Sequence, residues 1–395
     1  MITSIADNVV FVSGANCSAV YDFNTQKVYS LNQDATNILK KYLNKSGELS
    51  TEDLDFVSKV TRLFNLDKLE NVPYVPNCPE DNLDFAWLEI TQKCNCRCIH
   101  CYQGQNHIET SSPLDYSKWE DVLRQLSSLG CKSIQFIGGE PSTCEFLPRL
   151  ICFAKSVGIV NISMFSNLNH LSDELIDAII ANNVHVHFSI YGSNKLTHEN
   201  ITTITNSFES MLKNVELLLK SDVTLTAHVV IMKQNEYDRD RIYSLLKSLG
   251  ISDIKSDEIR KVFGLDMNKY LLNNPTSVMR SPDFKCSKDY FDKAAYVNTC
   301  WHGKIVVSTN GNVYPCEFER NIVYGNVLKN SIYEIISSFK TKECWKISFA
   351  KIERCKDCEF RFACKDCRPL AFAENGNLFH TSPRCSYNPY TGVWH

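Results

Sequence analysis

Three cysteines stand close together in the segment TQKCNCRCIHCYQ and could bind a metal centre: Cys94, Cys98 and Cys101. Their thiolates can hold three corners of a four-iron cubane cluster, which leaves one iron without a protein ligand. A structural site normally closes all four positions, whereas an open position can bind a substrate. The spacing alone leaves one alternative open, a zinc knuckle that uses His100 or Cys96 as its fourth ligand.

A second set of seven cysteines lies towards the C-terminus. Two of its pairs have the spacing Cys-x2-Cys, which is also typical of zinc ribbons. Seven ligands are too few to close two four-ligand sites, so the pattern favours a site with an open position. The members are Cys300, Cys316, Cys355, Cys358, Cys364, Cys367 and Cys385.

Composition excludes several classes of function. The 395 residues include 42 Lys+Arg and 45 Asp+Glu, with no basic run interleaved with aromatic residues, so nucleic-acid binding is not expected. No stretch approaches the roughly 18 apolar residues that span a bilayer, and the first residues lack a secretory signal pattern. We therefore expect a cytoplasmic protein with no membrane contact. Thiols stay reduced in the cytosol, so the 18 cysteines indicate metal binding rather than disulfides.

Residues 1–75 form the first predicted domain. Three short apolar runs predict strands, and the dipeptide Asn24-Thr25 predicts a hairpin turn between the last two. A helix is predicted next with Asp34 as its cap, and a second helix is predicted to begin at Ser50. The predicted strands are residues 9–12, 19–23 and 27–31.

Strand-like and helix-like segments alternate over residues 85–280, after a linker at 76–84. The apolar runs are FAWLEIT, SIQFIGGE, VNISMFSN, VHVHFSIYG and VTLTAHVVIM, with ISDIKSDEIR as a sixth strand. Helical patterns fall at 117–129, 172–182, 207–220 and 236–249. This alternation predicts an α/β fold, a partial (β/α)6 barrel of the TIM type, whose active-site loops follow the strands as Cys94 does. Residues 281–395 are cysteine-rich, and we expect them to need metal for stability.

The first cysteine segment resembles the radical S-adenosylmethionine (SAM) superfamily. The signature of that superfamily is Cys-x3-Cys-x2-Cys followed by an aromatic residue, here Tyr102. The resemblance implies a 4Fe-4S cluster whose open iron chelates the amino and carboxylate groups of S-adenosylmethionine. One electron then cleaves the sulfonium to methionine and a 5′-deoxyadenosyl radical, which takes a hydrogen atom from the substrate.

The next strand ends in Gly138-Gly139-Glu140-Pro141, which matches the Gly-Gly-Glu-Pro element of the same superfamily. The resemblance implies that the glycines let the backbone approach a ligand closely and that the carboxylate accepts from the methionine ammonium group. A simple tight turn is the alternative. Four more positions could contact the ribose or carboxylate of the cofactor, or could be solvent-facing strand ends: Ser166, Asn167, Ser189 and Arg260.

The second cysteine set resembles the SPASM extension of radical SAM enzymes, which binds two auxiliary 4Fe-4S clusters and so implies three clusters in all. Two features depart from the family pattern. Two residues separate Cys364 from Cys367 where the family has three, and no cysteine lies between Cys300 and Cys316. The first auxiliary cluster therefore has an open iron or is completed by Cys286. By position, the first auxiliary cluster takes Cys300, Cys316 and Cys367, and the second takes Cys355, Cys358, Cys364 and Cys385.

Glu317 is the candidate catalytic residue. It follows Cys316, at the position where relatives of the sulfatase-maturing type carry an acidic residue assigned as proton acceptor. A carboxylate there could act as a general base, although a solvated glutamate is the ordinary alternative.

The two ends of the chain indicate the substrate. Residues 1–75, with KVYSLNQDATNIL where strands give way to helices, resemble the winged-helix-like, PqqD-like elements that bind the leader of a precursor peptide as an added strand. An unspecialised cap over the barrel is the alternative. The C-terminal segments CKDCEFRFACKDCR and RCSYNPYTGVWH look like those of SPASM peptide maturases of the grasp-with-spasm type. The implied partners are a precursor peptide with its leader, a low-potential electron donor such as flavodoxin or ferredoxin, and an ATP-grasp ligase acting on the same peptide.

Together these patterns predict a radical SAM/SPASM oxidoreductase that matures a ribosomally made peptide. The expected product is an oxidative thioether or carbon-carbon cross-link. The alternatives are a protein side-chain oxidase of the sulfatase-maturing type, a peptide epimerase, and a zinc-bound scaffold without catalytic activity.

Overall fold

The structure of the chain, a computed structural model, describes residues 2–104, 114–276, 278–280, 282–365 and 367–395. The chain divides into two compact units. The first unit comprises Met1–Glu80, Val278–His302 and Trp345–His395, and the second comprises Asp81–Ser277 and Gly303–Cys344. The division after Glu80 falls inside the predicted linker. Residues 303–344, which we assigned to the C-terminal domain, belong to the unit that holds the barrel strands.

A sheet of five antiparallel strands opens the first unit: β1 (Ile2–Ala6), β2 (Val9–Ser13), β3 (Ser18–Asp22), β4 (Lys27–Leu31) and β5 (Val72–Pro73). The strands pair in the order β4-β3-β2-β1-β5. The three predicted strands are confirmed as β2, β3 and β4, and the hairpin turn joins β3 to β4. Strand β1 was not predicted, because its buried positions include Thr3 and so break the apolar alternation.

Two helices follow the sheet, α1 (Gln33–Asn44) and α2 (Thr51–Leu63). Asn32 caps α1, because its Oδ1 accepts a hydrogen bond of 2.9 Å from the backbone N–H of Ala35. The prediction that Asp34 is the cap is therefore wrong, since Asp34 already lies in the first turn. The predicted start of the second helix is confirmed, and Ser50 and Asp53 form a capping box there.

Both faces of this sheet are covered. One face packs against α1 and α2 through residues such as Phe11 and Leu39. On the other face, Tyr21 packs in one cluster with Phe291 and Phe360, which come from much later in the chain. Residues 1–75 thus share a hydrophobic core with C-terminal segments of the first unit. Their order of strands and then helices is as predicted, and their assignment as a winged-helix-like element stays a prediction.

Six parallel strands form the centre of the second unit: β6 (Phe85–Thr91), β7 (Ser133–Gly138), β8 (Asn161–Ser166), β9 (His185–Ile190), β10 (Leu225–Ile231) and β11 (Ile254–Glu258). Each strand pairs with the next one in sequence. The helices between them are α3 (Tyr116–Ser128), α4 (Leu147–Ser156), α5 (Asp173–Ala181), α6 (Lys195–Thr202), α7 (Ser207–Lys220) and α8 (Arg239–Ser248). All six predicted strands and all four predicted helices are confirmed, the last helix with a short 3-10 turn at Glu236–Asp238 before α8.

The remaining elements complete the two units. Helix α9 (Lys288–Tyr296) belongs to the first unit, and β12 (Lys304–Val307), β13 (Asn312–Tyr314) and β14 (Gly325–Asn326) extend the sheet of the second unit beside β6. The sheet ends at β11 and β14, so it is open, as a partial barrel requires. The last elements are α10 (Ile332–Ser337), α11 (Phe339–Trp345), α12 (Arg368–Asn375), β15 (Tyr387–Asn388) and β16 (Val393–Trp394). Across the described residues, no helix combines the length and apolar character needed to cross a membrane.

Candidate active site

The cysteine loop, residues 94–101, begins just after the C-terminal end of β6. The thiols of Cys94, Cys98 and Cys101 are all partly buried. The loop is fixed to the end of α6: the backbone N–H of Arg97 donates to Thr202 over 3.1 Å. The hydroxyl of Thr203 in turn donates to the Arg97 carbonyl over 2.9 Å. The three candidate ligands are therefore held on one loop at the end of the sheet where a barrel enzyme places its chemistry.

Cys96 and His100 are both buried beside the candidate ligands, and the Cys96 thiol is hydrogen-bonded with the thiols of Cys94 and Cys98. The Cys96 thiol is buried and accepts from the Asn169 amide over 2.9 Å. His100 is buried with its ring edge on Tyr191, and burial lowers its pKa to about 4. Within the described part of the chain, no three His, Cys, Asp or Glu side chains converge tightly enough to hold a single metal ion. The ligands of a four-iron cube bind different irons and therefore stand further apart than the ligands of one ion.

The two glycines of the Gly-Gly-Glu-Pro element are required by the protein's own backbone. A Cβ on Gly138 would lie 2.3 Å from the carbonyl oxygen of Thr91, and a Cβ on Gly139 would lie 2.4 Å from that of Lys93. Backbone hydrogen bonds use this close approach, because Gly139 donates to Thr91 over 2.9 Å and Glu140 donates to Lys93 over 2.7 Å. The Cβ direction of both glycines is filled by the segment directly before Cys94, and the contact of this element with a ligand stays a prediction.

Glu140 joins the ends of two neighbouring strands. Its carboxylate is buried and accepts from the Ser166 hydroxyl and from the backbone N–H of Asn167, both over 2.7 Å. A third donor is the backbone N–H of Ser142 at 3.0 Å. Burial raises the pKa of Glu140, while these hydrogen bonds lower it. In this structure Glu140 therefore positions the ends of β7 and β8.

The other predicted cofactor contacts fall in three places. The Asn167 side-chain amide donates to Asn95 Oδ1 over 2.7 Å and lies 4.0 Å from Cys94 Sγ, so Asn167 is part of the cysteine site. Ser189 is buried in β9, paired in register with His228. Arg260 follows β11, forms an ion pair with Asp257, and lies 4.8 Å from the Phe318 ring centroid.

A buried charge pair beside the loop was missed by sequence reasoning. Glu89, in β6, lies 3.1 Å from Arg320 Nη1 and is almost fully buried. Gln103 Nε2 donates to the other carboxylate oxygen over 2.9 Å and to the Gly138 carbonyl over 3.3 Å. A lone glutamate inside the apolar run FAWLEIT was the available signal, because a charge in such a strand needs a partner.

Glu317 lies next to this charge pair. Arg320 Nε donates to the Glu317 carbonyl over 3.0 Å, and the Tyr102 ring lies 5.0 Å from that of Phe318. Burial raises the pKa of the Glu317 carboxyl, against the opposing effect of Arg320 and Arg260. The residue after Cys101 and the residues after Cys316 therefore lie together in the second unit.

Four cysteines of the second set converge on one cavity of the first unit: Cys355, Cys358, Cys364 and Cys385. Arg354 and Arg361 line the same cavity, and the buried Arg354 Nε has no hydrogen-bond partner among the described residues. Thiolates beside arginines form a donor set suited to an anionic iron-sulfur cluster. This cavity contains the ligand set that the sequence assigned to the second auxiliary cluster.

The remaining cysteines of interest lie elsewhere. Cys300 and Cys367 belong to the first unit and Cys316 to the second. Cys286 is in the hydrophobic core of the first unit, where its thiol donates to the Phe362 carbonyl over 3.3 Å and burial raises its pKa to about 12. Those contacts are typical of a packing residue.

Two family models match the chain. Residues 88–246 match the radical SAM superfamily, and residues 300–359 match SPASM, an iron-sulfur cluster-binding domain. The chain therefore carries a radical SAM domain and a SPASM domain, as its two cysteine patterns predict.

The curated and solved relatives have low sequence identity to this chain, but each match covers most of both proteins. The chain is 24% identical over 328 residues to a PqqA peptide cyclase of Bradyrhizobium diazoefficiens, covering 76% of this chain and 86% of the relative. It is 22% identical over 341 residues to an AdoMet-dependent heme synthase of Methanosarcina barkeri, covering 77% and 96%. The crystal structure of Streptococcus suis SuiB bound to precursor peptide SuiA has a TM-score of 0.63 at 13% identity, covering 98% of this chain and 100% of that chain. The likeness to SuiB shows a shared fold.

Proposed function

We propose that this protein is a radical SAM peptide maturase, an oxidoreductase that takes hydrogen from a ribosomally made precursor peptide and installs a thioether or carbon-carbon cross-link. The observation that carries the proposal is the cysteine loop after β6, with the ends of β7, β8 and α6 packed onto it. Support for a peptide substrate comes from the PqqA peptide cyclase and from SuiB with its precursor peptide. Because a heme synthase is also a relative, the test must identify the substrate directly.

The residues of the loop fit a 4Fe-4S cluster with bound SAM. Cys94, Cys98 and Cys101 supply three thiolate donors from one loop, which is the donor set that leaves one iron open. When bound, the cluster and SAM supply the 5′-deoxyadenosyl radical. Asn167 orients the loop through Asn95.

Auxiliary clusters are part of the proposal. Cys355, Cys358, Cys364 and Cys385 would hold one of them, with Arg354 and Arg361 beside it. The assignment of a further cluster to Cys300, Cys316 and Cys367 rests on the sequence resemblance. We propose three clusters in all, and iron and sulfide analysis counts them.

Glu317 is one candidate proton acceptor of the site, and its neighbours hold its backbone in place. Glu89 holds Arg320 by an ion pair, and Arg320 holds the backbone of Glu317. This arrangement fixes the segment that carries the Glu317 carboxylate while leaving that carboxylate able to accept a proton.

The leader of the peptide would bind in the first unit. Strand β4 is an edge of the five-stranded sheet. Its first residue, Lys27, is bridged to Lys285, and the edge beyond Lys27 can accept an added strand. We propose that residues 1–75 act as a PqqD-like element in this way. The electron donor would be flavodoxin or ferredoxin, and an ATP-grasp ligase would act on the same peptide.

The test uses anaerobically purified full-length protein reconstituted with iron and sulfide. With SAM and dithionite, we expect the wild type to release 5′-deoxyadenosine. The variant C94A/C98A/C101A should release none, whereas C152A, which changes an exposed cysteine on α4, should behave as wild type. If the wild type releases no 5′-deoxyadenosine, or if it purifies with zinc and without iron or sulfide, the proposal fails.

Candidate precursor peptides, each with and without its leader, then identify the reaction by mass spectrometry. A cross-link removes two hydrogens, and loss of reaction without the leader supports the recognition element. A peptide mass that is unchanged in ordinary water but increases in heavy water, through uptake of deuterium, indicates an epimerase. Reaction of a folded protein in preference to every peptide indicates the sulfatase-maturing type.

A further inference from the structure

Three histidines and a phenylalanine share one face of strands β8, β9 and β10: Phe165, His185, His187 and His228. Phe165 pairs in register with His187, and their rings are stacked at 6.1 Å. The ring of His228 lies 4.7 Å from that of Phe165. The alternate residues of these strands, such as Met164 and Phe188, are fully buried. Right-handed crossovers place all the helices on one face of the sheet, so the half-buried histidines lie on the inner face.

This face leads directly to the cysteine site. Asn167 comes two residues after Phe165 and directly follows Ser166, the last residue of β8. The Asn167 amide lies 2.7 Å from Asn95 Oδ1 and 4.0 Å from Cys94 Sγ. Two residues of strand span about 7 Å, so Phe165 and its register partner His187 lie about one such step from Asn167 along the strands.

His187 and His228 form a hydrogen-bonded pair. The distance between His187 Nδ1 and His228 Nε2 is 3.0 Å. In a neutral pair one of these nitrogens donates and the other accepts, and each ring keeps its second nitrogen. In either tautomeric arrangement, one outer nitrogen is a donor and the other an acceptor. The pair can therefore accept a proton at one end and release one at the other.

A hydrogen-bond chain fixes the third histidine. The Thr226 hydroxyl donates to Asp253 Oδ2 over 2.6 Å, because an ionised carboxylate can only accept. Its oxygen is then the acceptor for His185 Nε2 at 2.7 Å. His185 therefore carries its hydrogen on Nε2, and its ring stacks on His187 at 4.3 Å.

Several titratable groups face the pair, and beside the larger effect of burial Asp253 raises the pKa of both rings while Lys255 and His185 lower it. These groups are His185 on β9 and the ion pair of Asp253 and Lys255 at β11, whose charged atoms are 3.0 Å apart, while β8 contributes the uncharged Phe165. Burial lowers the pKa of both His187 and His228 to about 4. Both rings are thus neutral at neutral pH, and a proton taken up at one outer nitrogen is held only briefly before the pair releases a proton at the other.

We propose that the His187–His228 pair accepts the proton that the substrate loses during cross-linking. This inference rests on the proposed function. Forming one bond between two substrate atoms breaks two bonds to hydrogen. One hydrogen leaves as an atom and ends in 5′-deoxyadenosine. The other leaves as a proton, which passes to the imidazole pair, and an electron, which passes to an oxidised iron-sulfur cluster.

The test compares the double variant H187Q/H228Q with wild type and with H395Q, a control at an exposed histidine of the first unit. Glutamine retains a donor and an acceptor but cannot take up a proton at this pH. We expect H187Q/H228Q to release 5′-deoxyadenosine without peptide at a rate within twofold of wild type. Its rate of cross-linking, measured with the peptide that reacts in the preceding assay, should fall at least tenfold. A cross-linking rate within twofold of wild type would overturn the proposal.

A second measurement needs no substrate. In the full-length protein with 13C-labelled histidine, H187Q and H228Q each remove one ring signal, which assigns the signals of these two histidines. In wild type, both signals should remain those of neutral imidazole down to about pH 5. Signals that titrate near pH 6.5 would contradict the burial of the two rings on the inner face. Wild type that makes no 5′-deoxyadenosine contradicts the proposed function, whereas a wild type and a double variant that cross-link equally well contradict only the histidine pair.

Discussion

At the scale of single residues, the site depends on two close backbone approaches. Gly138 and Gly139 end β7 against the segment that precedes Cys94, where any side chain would collide with carbonyl oxygens. Glu140 then binds donors from β8. The tetrapeptide, residues 138–141, therefore connects the cysteine loop to the ends of β7 and β8, and we call it the joint.

The substitution Gly139→Ala tests this joint. Its Cβ would lie 2.4 Å from the Lys93 carbonyl oxygen, so the backbone before Cys94 must move. We expect a loss of about 1–3 kcal/mol in the free energy of unfolding and less than half of the wild-type iron content. Gly130→Ala is the matched control: its φ is +78° and nothing lies within 4 Å of the added Cβ, so it costs about 1 kcal/mol without loss of iron. Equal iron content in the two variants would contradict the joint.

The charge pair of Glu89 and Arg320 provides a second residue-scale prediction. Arg320→Met leaves the buried Glu89 carboxylate without its cation, and we expect a loss of about 2 kcal/mol in the free energy of unfolding, because Arg320 is itself partly exposed. The double variant E89Q/R320M should recover part of that loss. Lys59→Met, which breaks an exposed pair with Asp55, should cost only a few tenths of a kcal/mol. Additive losses in urea denaturation would contradict the coupling.

At the scale of elements, helix starts and ends hold the functional segments in place. The end of α6 binds the cysteine loop through backbone hydrogen bonds to Arg97 and Ile99. In the first unit, Asn32 and the pair of Ser50 and Asp53 fix where α1 and α2 begin. These local hydrogen bonds set the register of each helix on the sheet below it.

Substitutions at the start of α1 separate the observed cap from the predicted one. Asn32→Ala removes the acceptor for the Ala35 N–H, and we expect a loss of about 1 kcal/mol in the free energy of unfolding. Asp34→Ala removes only a favourable interaction with the helix dipole and should cost a few tenths of a kcal/mol. Urea denaturation of the two variants measures the difference. A larger loss for Asp34→Ala would restore Asp34 as the cap.

At the scale of the whole molecule, residues that are far apart in the sequence pack together in one core. Tyr21, Phe291 and Phe360 come from three separate stretches and pack in one core of the first unit. Deletion of residues 1–75 would expose that core to water. Leader binding is therefore better tested by truncating the peptide than by truncating the protein.

Buried histidines make the stability of the molecule depend on pH. Burial lowers the pKa of His187, His198 and His228 to about 4 in the folded protein, from 6.5 in the unfolded chain. Between these values the unfolded state binds more protons, so the stability that these groups contribute is complete above pH 6.5 and is lost as the pH falls towards 4. We expect a loss on the order of 1 kcal/mol per histidine between pH 7 and pH 5.

Comparison of variants separates the loss of stability caused by histidine protonation from the loss caused by carboxylate protonation. H187Q/H228Q should lose less stability than wild type between pH 7 and pH 5, whereas His170→Gln, at an exposed histidine, should follow wild type. Thermal unfolding at the two pH values provides the measurement. Parallel curves for H187Q/H228Q and wild type would show that these rings titrate normally.

The amino-acid pattern alone was enough to identify the two domains and most of the elements. Cysteine spacing is a local property, so Cys94, Cys98 and Cys101 identified the radical SAM domain without a structure, and the later cysteines identified SPASM. Five of the six strands of the second unit were also readable, because each is rich in apolar residues and lies between turns or helices, whereas β11 (IKSDE) is mostly polar.

Only the tertiary structure decided which distant residues meet. The partner of Glu89 is 231 positions away, and the register of β9 and β10 brings His187 to His228. Such contacts depend on strand order, twist and the packing of separate stretches, so a local sequence pattern does not predict them. For the same reason the structure, and not the spacing of Gly138 and Gly139, revealed that the Gly-Gly-Glu-Pro element packs against the protein's own backbone.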